Sequence, residues 1–306
     1  MGSGFMVRYG AWNALLAVVC CTLPAATAYG QRPPWAVYTM DADGENVKKI
    51  SRDDKNSFGS PVWSRDGKKL AYDGGPLGFN NSHIFVHTLG EEKSIDIGPG
   101  YTPDFSPDDQ QIAFFYPSWT KSGEKIGVWV MNADGTNREW IGEGERPRWS
   151  RDGDKLVFAG EFEGFPSLYV YDTISLERTR LLERGYTQVI GAAFSPDAGQ
   201  LVFVGYKVGN IFNDSANGEV VVIDAKAGVM PNVVCQGRVG WHPDWSPTGK
   251  KLLFRIADVA RMEQLHILDL EGNGKPVPLP KQFGRRNSDG VWSPDGKQIV
   301  FTSDRG

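Results

Sequence analysis

The sequence predicts an all-β protein, a six-bladed β-propeller of four-stranded antiparallel blades, closed by N-terminal outer strands pairing with C-terminal inner strands. Three observations carry this expectation. An aromatic-Ser motif recurs six times at a period in the forties, each copy runs directly into an apolar stretch, and the two ends of the chain supply complementary halves of one blade.

The motif reads WSRDG from Trp63, FSPDD from Phe105, WSRDG from Trp149, FSPDA from Phe194, WSPTG from Trp245 and WSPDG from Trp292, at spacings of 42, 44, 45, 51 and 47 residues. The runs that follow end at Gly74, Tyr116, Gly160, Gly205, Ile256 and Ser303. They are apolar without alternation, so both sheet faces must be buried, as they are when a blade is sandwiched between two others. Between aromatic and run, Ser-Pro-Asp-Gly presets φ at Pro, bonds the local backbone through Asp and turns at Gly, which makes it a hairpin turn. A further strand starts near Trp35, His83, Gly127, Ser167, Glu219 and Gln264, and short outer strands such as VKKIS from Val47 and TRLL from Thr179 complete the units. We name the four strands a to d outward from the axis. Residues 35–51 then form strands c and d, and residues 291–303 form strands a and b, of one shared blade. Such closure removes the open sheet edge. The alternative is a longer gene broken between strands b and c.

The pairing of DADG at Asp41 or NADG at Asn132 with WSPDG at Trp292 resembles the TolB-type, WD40-like PD40 repeat, and it extends over essentially the whole chain after residue 28. The resemblance implies a cell-envelope propeller whose face around the channel receives a lipoprotein. Proteins of that type place an α/β domain before the propeller, and Tyr29 to Trp35 is too short to supply one.

The first residues read as an export signal. Arg8 precedes an apolar stretch from Ala11 to Leu23, and Ala26-Thr27-Ala28 offers a small-residue cleavage site. Residues 1–28 are therefore expected to be a signal peptide and 29–306 the propeller, periplasmic or secreted. An uncleaved anchor is the alternative, although the apolar stretch falls short of the ~20 residues that span a bilayer. After cleavage Cys235 alone remains, in the apolar run Val233 to Cys235, and reads as a buried small hydrophobe. A net charge of −4 excludes the basic face that nucleic acid requires. A monomer is expected.

Strand direction alternates within a blade, so the a–b and c–d turns share one face and the b–c and d–a loops share the other. The first face is stereotyped. The second carries long loops that differ between blades, at 73–82, 116–125, 160–166 and 205–218. Residues that break the repeat near the strand a aromatic are Asp104, Arg146, Arg148, His242, Asp244 and Asp289, expected to ring the channel mouth. Around them the loops add Phe79, Trp119, Phe162, Phe165, Tyr206, Phe212 and Trp241, a composition suited to protein binding. The rim assigned to partner binding is thus Asp104, Trp119, Arg146, Arg148, Phe165, Tyr206, Trp241, His242, Asp244 and Asp289.

No catalytic motif is found: G-x-S-x-G, H-E-x-x-H and G-x-x-x-x-G-K-[ST] are all missing. His83 and His87 lie ~13 Å apart along a strand, too far to share a metal. No cofactor is expected, and the one ion weighed is a channel Ca²⁺ held by Asp104, Asp244 and Asp289, which Arg146 and Arg148 could instead neutralise. The leading expectation is a non-enzymatic scaffold that docks a protein or lipoprotein of the cell envelope on the long-loop face. The alternatives are a lyase or glycan-cleaving enzyme using His242 with channel carboxylates, and a carbohydrate-binding module stacking sugars on Trp119 and Trp241.

Overall fold

The computed structural model describes residues 34–305 apart from 54, 77–80, 118–123, 210–214, 259–261, 273 and 283. The expected signal peptide lies outside them.

The described residues form six antiparallel sheets of four strands each. In chain order, β1 (Ala36–Asp41) and β2 (Lys48–Lys49) come first. The next blade is β3 (Asn56–Trp63), β4 (Lys69–Pro76), β5 (His83–Thr88) and β6 (Ile95–Pro99). It is followed by β7 (Tyr101–Phe105), β8 (Gln111–Tyr116), β9 (Gly127–Asn132) and β10 (Glu139–Gly142). The third is β11 (Glu145–Trp149), β12 (Lys155–Phe162), β13 (Phe165–Asp172) and β14 (Arg178–Arg180). The fourth is β15 (Gln188–Phe194), β16 (Gln200–Tyr206), β17 (Gly218–Asp224) and β18 (Asn232–Gly237). The fifth is β19 (Val239–Trp245), β20 (Lys251–Ala257), β21 (Glu263–Asp269) and β22 (Val277–Pro278). Finally β23 (Asn287–Trp292) and β24 (Gln298–Ser303) join β1 and β2, in the order β2-β1-β24-β23.

That last sheet closes the ring. Its central ladder runs from Ala36↔Ser303 to Asp41↔Gln298, and Tyr38 adds a hydrogen bond of 2.8 Å from its hydroxyl to the Arg305 carbonyl. The core sits between blades, not within one: Met40 and Phe301 of the closing blade pack with Leu253 and Leu265 of the fifth, and Val37 and Val300 pack with Phe58 and Tyr72 of the first. Continuous apolar strands are what this arrangement demands, and Leu201 to Val204 of β16 are wholly buried, facing both neighbours in alternation.

The Ser of each repeated motif is buried and organises the turn. Ser150 Oγ donates to Asp152 Oδ1 at 2.5 Å and accepts from the Lys155 N–H at 3.0 Å, and the same pattern recurs at Ser64, Ser106 and Ser293. The repeated chemistry is therefore structural.

Three local expectations are corrected. The segment 160–166 is no long loop: β12 and β13 pair through Phe162↔Phe165 around Glu163 (φ 49°) and Gly164 (φ 81°), a pair of left-handed residues that favours a two-residue hairpin. Tyr206, read as a loop aromatic, is the last residue of β16 and is wholly buried. Cys235 is half-buried on an outer strand instead of fully enclosed, and its partial burial pushes the thiol up, away from thiolate.

The central channel as a candidate functional site

Each inner strand is interrupted at the same height. Between Gly59 and Val62, Tyr101 and Asp104, Glu145 and Arg148, Ile190 and Ala192, and Ser288 and Val291, the a strand carries one residue more than its partner. This is a β-bulge, and it turns a residue third from the aromatic into left-handed backbone: Ser60 (φ 47°), Thr102 (φ 47°), Arg146 (φ 56°), Gly191 (φ 46°) and Asp289 (φ 51°). In the fifth blade the register from Gly240↔Arg255 to Asp244↔Leu253 leaves two extra residues, and the left-handed position moves to Trp241 (φ 61°). Left-handed backbone at a side-chain-bearing residue costs on the order of 1 kcal/mol, tolerated where packing enforces it.

These bulges form a collar around the axis, with Ser60, Thr102, Arg146, Gly191, His242 and Asp289 lining a space of about 360 Å³, open solvent included. Nearer the a–b turns a second space of about 560 Å³ is lined by Arg65, Asp104, Arg148, Arg151 and Asp244 with the inner aromatics. The six charged residues expected at one mouth are thus split between two levels. Arg146, His242 and Asp289 stand at the collar, Asp104 and Asp244 stand below it, and Arg148 lines both.

Most of these groups are engaged by the protein itself. His242 Nδ1 lies 3.4 Å from Asp289 Oδ1, and Thr302 Oγ1 donates to Asp289 Oδ2 at 3.2 Å. Burial works to raise the Asp289 carboxyl, yet the His242 contact and the Ser60 N–H outweigh it and hold the group below the usual carboxylate range. Arg148 bridges Asp104 at 3.5 Å and Asp244 at 3.4 Å. Both aspartates also tie down the next blade, Asp104 accepting the Trp149 N–H at 2.6 Å and Asp244 the Trp292 N–H at 2.9 Å. Burial pushes the Asp244 carboxyl up against these stabilising partners. The Ca²⁺ expectation does not fit this geometry. Arg148 already supplies the positive charge between Asp104 and Asp244, Asp289 is turned to His242, and no cluster of three metal-binding side chains occurs among the described residues.

On the long-loop face, Arg184 from the β14–β15 connection stacks 4.5 Å from the ring of Phe165 and pairs with Glu163 at 2.9 Å. One contact therefore joins a d–a loop to a b–c hairpin, which confirms the alternation of faces. Phe162 and Phe165 are each about two-fifths exposed, and Arg180 covers Phe162 at 3.8 Å. Trp241 is half-buried with the guanidinium groups of Arg146 and Arg255 each 5.8 Å from its ring. Arg255 is buried and held by Glu263 at 2.8 Å.

Residues 25–211, more than half of the chain, match the family described as the TolB beta propeller domain (PD40). The chain belongs to the TolB β-propeller family. A Tol-Pal system protein TolB of Francisella tularensis subsp. mediasiatica is 24% identical over 238 residues, which cover 76% of this chain and 53% of the relative. The chain thus spans about half the length of the curated relatives it matches. A solved structure described as a putative TolB from Agrobacterium tumefaciens superposes with a TM-score of 0.69 at 18% identity, covering 89% of this chain and 98% of that one. The fold is also shared with an oligogalacturonate lyase determined with manganese, at a TM-score of 0.53 and 18% identity over 78% of this chain and 72% of that one, so the fold alone does not decide function.

Within this TolB-type propeller the sequence-derived rim does not form one surface. Phe165 is at the tip of a hairpin, Trp241 is wedged between arginines, and Tyr206 has left the rim for the core, its hydroxyl donating to the Val239 carbonyl at 2.6 Å. Trp119, Phe79 and Phe212 lie outside the described residues. His242 and Asp244 do not meet, because His242 turns to Asp289 while Asp244 turns to Arg148 and Trp292. His83 pairs with Asp96 at 2.8 Å and His87 faces Ser94 at 3.2 Å, on separate partners. Sequence reasoning missed Arg65 and Arg151. Their signal was available: they occupy the motif position where the other four copies carry Pro107, Pro196, Pro247 and Pro294.

Proposed function

We propose that this TolB-type propeller is a non-enzymatic scaffold, periplasmic or secreted, that docks a protein or lipoprotein of the cell envelope on its long-loop face. The observation that carries the reading is the set of aromatic rings faced by guanidinium groups there: Phe162 with Arg180, Phe165 with Arg184, and Trp241 with Arg146 and Arg255. Partly exposed aromatics beside arginine give large contact area with charged groups that choose the partner, the composition of interface hot spots. Family membership and relatives named for the Tol-Pal system support an envelope partner. The binding reading is preferred to catalysis because the chain belongs to the TolB β-propeller family and the sequence carries no catalytic motif.

The test is cross-linking capture from an envelope fraction, followed by rebinding of the purified captured protein. The triple variant Phe162→Ala, Phe165→Ala, Trp241→Ala should bind at least about tenfold more weakly, since hot-spot truncations typically cost 1 kcal/mol or more each. Lys250→Ala, on the opposite face, should bind as the parent does. Equal affinity of the triple variant and the parent would remove this face as the docking surface.

A further inference from the structure

The space at the a–b turn end of the channel differs in kind from the collar above it. Three arginines, Arg65, Arg148 and Arg151, face two aspartates, Asp104 and Asp244, which leaves one positive charge in excess. Arg148 is consumed by both aspartates. Arg65 and Arg151 form no direct ion pair among the described residues, although both feel the Asp244 charge from further off, and Arg65 Nε is buried without a hydrogen-bond partner.

Two buried indoles add to this. Two of the four inner tryptophans donate their Nε1–H to a carbonyl of the preceding blade: Trp63 to Val291 O at 3.3 Å and Trp245 to Ala193 O at 3.2 Å. At Trp149 and Trp292 the preceding blade carries Asp104 and Asp244 at that position, whose carboxylates take the backbone N–H instead. Their indole Nε1–H groups are then buried and unpartnered, in side chains more than nine-tenths buried that line this same space. An unmade hydrogen bond at a buried donor costs roughly 1–3 kcal/mol, so three such donors in residues that line one space leave an acceptor missing beside it.

We infer that this mouth of the channel binds a single carboxylate group, received by Arg65, Arg151 and the indole N–H groups of Trp149 and Trp292. A carboxylate fits better than a phosphate: one excess positive charge offsets a monoanion, whereas a dianion would leave unbalanced charge beside the buried Asp104 and Asp244. Planar guanidinium groups match carboxylate geometry in two-pronged fashion. Partial burial and the neighbouring Arg65 push the Arg151 guanidinium down, and the Asp244 carboxylate offsets this only in part. The turn carboxylates on this face do not compete: Asp66, Asp152 and Asp295 are bonded to their own Ser hydroxyls and do not line the space. The site is on the face opposite the proposed docking surface and stands or falls separately from it.

Calorimetric titration with N-acetylglycine tests the inference, with its neutral amide and inorganic phosphate as comparators. The acid should bind saturably with a dissociation constant on the order of 1 mM, and the amide not at all. Phosphate should be weaker by at least about fivefold, as should the acid against Arg65→Ala or Arg151→Ala. The acid should move two indole N–H proton resonances downfield, the two that vanish in Trp149→Phe and Trp292→Phe. A capped peptide bearing one internal Asp is the second arm, and the tighter of the two ligands names a peptide or a free acid as the source. Arg151 is at the exposed rim, so its variant reports even where Arg65→Ala fails to fold. Binding of the amide equal to that of the acid, or an unchanged constant in Arg151→Ala, overturns the site.

Discussion

Asp73 shows how one buried carboxyl sets a pH dependence. It sits on β4 behind the collar, accepts the Thr102 N–H at 2.7 Å, and burial, with the nearby Asp289 charge, pushes its carboxyl up. A raised folded-state value means the native protein holds this proton after the unfolded chain has released it. Its contribution is therefore full below the unfolded value near pH 4 and is lost as pH rises through the folded one. Asp73→Asn keeps an acceptor for Thr102 without a charge, so the variant's denaturation midpoint should fall less than the parent's between pH 4.5 and pH 8, roughly one such window. Identical pH profiles would sink this account. At this scale the sequence was partly legible. Asp104, Arg148, Asp244 and Asp289 announced themselves by breaking a repeated position, whereas Arg65 and Arg151 break a position within the turn that the sequence reading passed over. Tyr206 misled because it follows Gly205, where the apolar run appeared to end. In the structure the strand continues one residue further, opposite Gly218, and the tyrosine ring occupies the space that glycine leaves.

Among the elements, the bulged inner strand is what brings the charged residues of the collar to the axis, and it was invisible in the sequence. One added residue per strand is lost in spacings that already vary from 42 to 51. The fifth blade's second extra residue delivers His242 into the gap beside Gly191 of the fourth blade. A Cβ built at Gly191 would lie 2.6 Å from the His242 ring and 3.1 Å from its Cα, and the backbone there is left-handed. Gly191→Ala is expected to destabilise the fold by roughly 1–3 kcal/mol, through strained backbone and overpacking combined, measured by denaturant unfolding. An unchanged midpoint would show that the two blades are not fitted to one another. The hairpins, by contrast, were readable almost residue by residue, because Ser, Asp and Gly each have a fixed task in the turn. The exception is Glu163-Gly164, a two-residue hairpin between β12 and β13 where the sequence reading placed a long loop.

For the whole molecule, six blades, their order and the shared closing blade were legible because the repeat is strict and the two ends are complementary. Closure also makes the ends energetically equal to the middle. Met40 is wholly buried between the closing and fifth blades, so Met40→Ala should cost about 2–5 kcal/mol and should lower the single unfolding transition as a whole. Loss of β1 alone, with the other blades unaffected in hydrogen exchange, would contradict a ring that is stable only as a ring.

The ladder from Ala36 to Ser303 also fixes an order of events during synthesis. Val37 and Met40 emerge from the ribosome well before β24, the strand that pairs with β1 and shelters them, because four strands of each of the other five blades lie between the two in the chain. Until β24 is made, β1 keeps one apolar edge unpaired, exposed to wrong pairings with other nascent copies. The lysines at 48 and 49 are on β2, which takes the other edge of β1, and they place charge on the outermost strand of the finished blade, a guard against edge-to-edge pairing between copies.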